Sequence, residues 1–194
     1  MKFLTEYLNG KAENVDRILF EDLFRLVIVL AVAAMDNYFT QKFVDMLIPI
    51  LKSKKPSKEL VNFLEGSGVT TEMALTLISL KRPMLKIKKL VEIKLERYTT
   101  QNQKSIDCLF LMYGIKDFCT NIGKKSRKAS LLKSISLLVE RRNVIVHNGD
   151  INKYHKANSV NPDEIFPRLE MIPVFITNAE SILNSYINNM RKKN

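Results

Sequence analysis

The run LVIVLAVAAM, Leu26–Met35, constrains this chain more than any other stretch. Its ten residues carry no charge and sit between Arg25 and Asp36. A bilayer span needs roughly 20 apolar residues, so the run is expected to lie in a buried core helix rather than in a membrane. A helix that is apolar nearly all round must be surrounded by other helices or covered by a second subunit. The surrounding pattern predicts one long helix from about Glu13 to Leu47, stopping at Pro49.

Little else in the chain interrupts helices. Glycine and proline number six each in 194 residues, and helix formers such as Leu, Lys, Glu and Met are plentiful. ELVNFLEG predicts a short helix ending at Gly66. Thr70 or Thr71 can cap the next one, with Glu72 in its first turn, running to about Tyr98 with a break or kink near Pro83. Ser105–Asn121 is expected to form one helix stopped by Gly123. Ala129–His147 forms another, with Leu131, Leu132, Ile135, Leu138, Val139 and Val146 at helical spacing and Asn148-Gly149 as its stop. After a polar loop over residues 150–161, Asn161-Pro162-Asp163-Glu164 starts a helix. Pro167 and Pro173 break the next stretch into short pieces before a last helix to about Met190. No strand-like alternation, repeat or low-complexity tract appears. The expected architecture is all-α: an antiparallel bundle of four to five main helices. It forms a single domain over 1–194, with its core at about 13–190 and a basic tail at 191–194.

The formal charge of +11 is unevenly spread. Residues 1–22 are slightly acidic, whereas Lys81–Arg97 and Lys124–Lys133 carry a surplus of positive charge. That asymmetry suits a polyanionic partner such as RNA or a nucleotide phosphate, although it also serves plain solubility. Cys108 and Cys119 lack CxxC spacing and read as small buried hydrophobes in a reducing compartment. Met1–Gly10 has no apolar signal-peptide core. A soluble, cytoplasmic protein with no membrane association is expected.

The segment VERRNVIVHNGD, Val139–Asp150, holds one of only two histidines. Asn143 and His147 are four apart and share a helix face, while Arg142 is offset from His147 by about 140° and reaches round with its long side chain. Arg141 lies on the other side and can substitute for Arg142 or pair with Glu140 or Asp150. A guanidinium forks onto phosphate oxygens and stabilises developing negative charge. Imidazole titrates near neutrality and can take a proton from a ribose 2′-hydroxyl or give one to the leaving oxygen. Asparagine can orient the imidazole or bond the scissile phosphate. These residue types compose a metal-independent ribonuclease site. In-line cleavage benefits from a base and an acid, and a two-fold dimer would supply the second His147. The dimer interface would then include the Ala129–His147 helix. His155 is the other available imidazole, in a polar loop with no partner pattern. The plain alternative is a helix C-terminus where His147 complements the dipole and the arginines are solvated.

With that motif, Arg142-Asn143-Val144-Ile145-Val146-His147-Asn148-Gly149 resembles the HEPN superfamily (higher eukaryotes and prokaryotes nucleotide-binding domains), whose all-α bundles carry Arg-x4–6-His, often with a polar residue after the arginine. AVAAMDNYFTQKF looks like the first long helix of the same fold, and the resemblance covers about 13–190. It implies a metal-independent endoribonuclease whose motif pair meets across a homodimer, with Arg142 on phosphate, His147 as general acid/base and Asn143 as accessory. It also implies a prokaryotic defence or toxin–antitoxin setting, with an antitoxin as a partner protein. The alternative within the same family is a noncatalytic nucleotide- or protein-binding or dimerisation module. Asp36, Tyr38 and Lys42 lie at helical spacing on the first long helix and can line the same cleft, Asp36 orienting Arg142 or His147. Lys124, Lys125 and Arg127 of GKKSRK can track an RNA backbone. No cofactor is expected and no metal, since no His, Cys and carboxylate cluster has ligand spacing. Gly66-Ser67-Gly68 is too short for a phosphate loop and lacks the Gly-Lys-Ser/Thr of such a loop.

Overall fold

The long first helix is more persistent than its proline predicts. In the computed structural model, which describes residues 14–53 and 55–192, helix α1 spans Asn14–Ser53 and passes through Pro49. Proline removes one backbone donor, but Met46, Leu47 and Ile50 on either side are almost completely buried. Core packing there outweighs the lost hydrogen bond. Met1–Gly10 and the last two residues of the basic tail lie outside the described residues.

The chain continues through α2 (Lys58–Gly66), α3 (Thr71–Ile78), α4 (Pro83–Leu95), α5 (Gln103–Leu111), α6 (Phe118–Ser126), α7 (Leu131–Asn148), α8 (Pro162–Leu169) and α9 (Met171–Arg191). Among the described residues there is no strand, only a single bridge between Ile151 and Ala157. The all-α expectation holds. Several caps fall where the residue types place them. The Ser57, Thr70, Asn102 and Asn161 side chains accept from backbone N–H groups in the first turns of α2, α3, α5 and α8, satisfying donors that would otherwise be orphaned.

Several expectations about helix ends fail. The predicted 105–121 helix is two helices. α5 ends at Leu111, the chain turns through Gly114 at φ 77° and Asp117 at φ 50°, and α6 starts again at Phe118. The carbonyls freed by this break find partners far along the chain: Ser57 Oγ donates to Met112 O at 2.7 Å and the Tyr186 hydroxyl donates to Tyr113 O. Gly123 does not stop α6 either. It sits inside the helix, where an added Cβ would lie 3.2 Å from the Leu132 side chain, so its missing side chain lets α6 approach α7 closely. Residues 70–98 form α3 and α4, separated just before Pro83, where the sequence predicts a break or kink. Pro173 falls in the first turn of α9 and does not divide it, a position where proline costs no helical hydrogen bond.

Phenylalanines order the core. Phe39 meets Phe110, Phe118 and Phe175 edge-on, and Tyr113 stacks on Phe43 at 4.2 Å while its buried hydroxyl donates to Phe43 O at 2.6 Å. These contacts tie α5, α6 and α9 to the middle of α1. Helix α7 runs antiparallel to α1. Asp150, just past its end, meets Arg25, whereas near its start Leu132 and Ser136 accept from Gln103, three residues beyond the Thr100 that meets Asp36. The cysteines are both free; Cys119 is buried as expected, but Cys108 is exposed.

One half of the apolar run is not buried. Ile28, Val32 and Met35 face the core at 0% exposure, while Leu26 at 51%, Val27 at 47% and Leu30 at 57% face outward. Of the two expectations for this helix, enclosure by other helices of the same chain does not hold among the described residues, which leave one apolar face open.

Candidate active site

The motif occupies the last two turns of α7. Leu131, Ile135, Leu138 and Val139 bury the first part of this helix, and the helix stops where Gly149 takes φ 60° with its N–H on Val144 O. Glycine adopts this left-handed conformation without the steric cost other residues meet. His147 is exposed in the final turn, and Arg142 and Asn143 are partly buried one turn earlier.

The two arginines differ sharply in environment. Arg141 is neutralised: its Nη1 and Nη2 lie 2.7 Å from Asp150 Oδ1 and Oδ2. Asp150 is 1% exposed and also accepts from Arg25 Nε at 2.6 Å and from Asn158 Nδ2 at 3.1 Å. A buried carboxylate is stable only when its lone pairs are filled in this way. Desolvation works against the charge on Arg25, but its bonds to Asp150 and Asp22 outweigh that, and its pKa is raised. Arg25 further donates to Asn158 O at 2.6 Å. The knot pins the end of α7 to α1 and to the 150–158 loop.

Arg142 has no carboxylate partner among the described residues. Its Nη1 donates to Asn143 Oδ1 at 3.1 Å, and its Nε is buried without an acceptor. An unmet buried donor on a cation is costly. The bond to Asn143 also answers the 140° offset. It draws the Arg142 head towards the Asn143 side chain, and Asn143 shares its helix face with His147. A guanidinium bonded to an amide thus stands about one turn before an exposed imidazole at the open end of α7, residue types able to hold a phosphodiester and move a proton beside it.

The remaining predicted residues lie elsewhere. Asp36 does not orient Arg142 or His147: its oxygens accept from the Thr100 N–H at 2.5 Å, the Thr100 hydroxyl at 2.6 Å and Gln101 Nε2 at 3.1 Å. Tyr38 and Lys42 both donate to Glu180 of α9, at 2.5 and 2.6 Å. They sit at least thirteen residues along α1 from Arg25, roughly 20 Å at 1.5 Å per residue, so within one chain they do not line the motif's cleft. Lys124, Lys125 and Arg127 are exposed but precede the start of α7, which separates them from His147 by roughly 24 Å of helix. Arg127 takes φ 56° and ends α6. His155 sits exposed in the 150–158 loop at φ 58°.

No motif marks Arg25, whose only signal in the sequence is its place at the edge of the apolar run, or Glu180, which is joined to Lys42 across 138 residues and has no local signal.

This bundle, with an Arg-x4-His motif at the end of its penultimate long helix, defines a HEPN domain. More narrowly, a family model described as RiboL-PSP-HEPN matches residues 3–185, and the chain belongs to that family. No curated protein and no solved structure matches. Among the described residues, no helix is long and apolar enough to cross a membrane.

Proposed function

We propose that this protein is a metal-independent endoribonuclease acting as a homodimer, in a prokaryotic defence or toxin–antitoxin setting. The single observation that carries the reading is the contrast between the neutralised Arg141 and the unmatched Arg142, whose head turns to the His147 face. A purely structural arginine pair would share the carboxylates at hand; an arginine held only by a neutral amide keeps its charge for a phosphate.

In this reading Arg142 binds the scissile phosphate and Asn143 holds the guanidinium in place. One His147 takes the proton of the ribose 2′-hydroxyl as its oxygen attacks phosphorus. The partner's His147 gives a proton to the 5′-oxygen as its bond to phosphorus breaks, leaving a 2′,3′-cyclic phosphate and a 5′-hydroxyl. Arg142 stabilises the charge that gathers on the non-bridging oxygens.

The free face of α1 supports the dimer. Leu19, Leu23, Leu26 and Leu30 are 44% to 57% exposed, and their spacing of four, three and four residues is that of a helix–helix seam. Exposed Ala33 and Asn37 continue the same spacing. Beside the motif, Val146 is 46% exposed, so the C-terminal end of α7, rather than its whole length, joins the interface.

Purified protein incubated with structured RNAs in EDTA tests this. Wild type should cleave and leave cyclic phosphate ends, Arg142→Gln should lose at least a hundredfold in rate, and His147→Ala should be inactive. Equal cleavage by wild type and His147→Ala, or none by wild type across several RNAs, would refute it.

A further inference from the structure

Along the outward side of α4 stand Lys86 and Lys89, with Arg82 just before its first residue and Arg97 two residues past its last, all exposed and none in a salt bridge among the described residues. The steps of four and three residues from Arg82 to Lys89 keep those three on one side of the helix line, and Arg97 follows in the turn after it. From Arg82 to Arg97 the row extends roughly 22 Å. Lys88, the lysine that turns inward, is the one that finds a carboxylate, Asp45 at 3.0 Å. Glu96 flanks the row without pairing in it. Between this helix and the end of α2 lies an open groove of about 420 Å³, lined by Gly66, Leu90, Ile93, Lys94 and Tyr98 among others. An apolar floor with a tyrosine ring and a cationic rim matches the needs of an unpaired nucleobase with its phosphate. An acidic peptide would use the cations but has no use for an aromatic slot.

Position relative to the motif strengthens the match. Arg25 and Asp36 are three helical turns apart, so they share a side of α1. On that side Arg25 holds Asp150, just beyond His147, and Asp36 holds Thr100, just beyond Arg97. The row therefore ends roughly 16 Å along α1 from the motif, a gap a few nucleotides span.

We propose that the α4 row and the Tyr98 groove form a second contact surface for single-stranded RNA, which holds the strand upstream or downstream of the cleavage site. The proposal rests on RNA being the substrate, and its test separates the two. Binding of a short unstructured labelled RNA is measured across a salt series in the His147→Ala protein, so that cleavage plays no part. Lys86→Gln/Lys89→Gln/Arg97→Gln should weaken binding and flatten the log–log salt slope by about 2, at roughly 0.7 for each lost single-strand phosphate contact. Tyr98→Leu should weaken binding about tenfold with the slope unchanged, while Tyr98→Phe, which keeps the ring and the packing, should bind as the parent does. A triple variant with unchanged affinity and slope overturns the surface, whether or not wild type cleaves RNA. Equal loss of poly-glutamate binding in the triple variant, with RNA indifferent to Tyr98→Leu, also overturns it and assigns the row to an acidic protein. If the triple variant loses RNA as expected but wild type never cleaves, the surface stands and the nuclease reading falls.

Discussion

Leu30 and Val44 occupy the same face of α1, two heptads apart, yet Leu30 is 57% exposed and Val44 only 1%. The difference lies in what crosses the helix. Beyond about residue 36, α4 packs on α1, with Lys88 on Asp45 on one flank and Thr100 beside Thr40 on the other. Before that point no described residue covers this face, and an apolar seam lies open beside the motif. A helix that one chain covers for half its length and leaves apolar for the other half has a vacancy shaped for another helix. The half left open is the half that carries Arg25, whose contact with Asp150 fixes the motif.

The sharpest way to break this comparison is to charge the open half. Leu26→Asp/Leu30→Asp should leave the monomer folded, since both side chains already face water, but should convert a dimer to a monomer by sedimentation and lower RNA cleavage by more than a hundredfold. A monomeric double variant with full activity would disprove the composite site. A double variant that stays dimeric would move the interface elsewhere.

Next in size is the knot that ties the open half down. Asp150→Ala leaves Arg25 and Arg141 facing each other without their shared carboxylate. Both guanidiniums keep some access to water, so a loss of about 3 kcal/mol is expected, at the lower end for a broken buried ion pair. Denaturant unfolding reads it directly. Cleavage should fall too, because the end of α7 loses its anchor; Arg141→Gln, which removes only one arm, should cost less in both measurements.

How much of this was readable in the sequence depends on the range of the interactions involved. The α7 stop at Asn148-Gly149 and the start at Asn161-Pro162 are set by neighbouring residues, and both stand where local residue types put them. The break at Gly114 was misassigned because the partners that satisfy it, Ser57 and Tyr186, come from distant helices. In the same way the apolar run gave its helix, but not which face the chain leaves uncovered, since that depends on where α4 crosses. For the candidate site, the spacing of Arg142, Asn143 and His147 was legible, and the division between a paired and an unpaired arginine was not. That division depends on Arg25 arriving from 125 residues away.

Truncation sharpens the comparison at single residues. Val44→Ala deletes two buried methyl groups and leaves a small cavity, a cost of about 2 kcal/mol. Leu30→Ala removes more hydrocarbon from the same face but should change monomer stability by less than about 0.5 kcal/mol. Chemical denaturation at low concentration compares them. At high concentration the Leu30 variant should become the worse of the two, as its dimer dissociates. Equal costs at every concentration would show that the two halves do not differ in what covers them.

The smallest effect tests the covered half through its polar edge, where Tyr38 and Lys42 hold Glu180. Desolvation pushes the Glu180 carboxyl up, but the hydrogen bonds from Lys42 and Tyr38 and the charge of Lys42 outweigh it, and its pKa sits below the ordinary value. A carboxyl depressed in the folded state stabilises the fold above its unfolded pKa, and that contribution fades as pH falls through the folded pKa. Glu180→Gln should therefore unfold at a slightly lower temperature than wild type at neutral pH. Glu180 is more than a third exposed, so the deficit should stay under about 1 kcal/mol. The two melting curves should converge in acid, below the folded pKa of Glu180. The Tyr38 phenol, held above its ordinary value by burial first and by Glu180 second, stays protonated throughout that range and keeps its bond. A deficit that persisted unchanged into acid would mean that geometry, and not charge, is what Glu180 contributes to the covered half of α1.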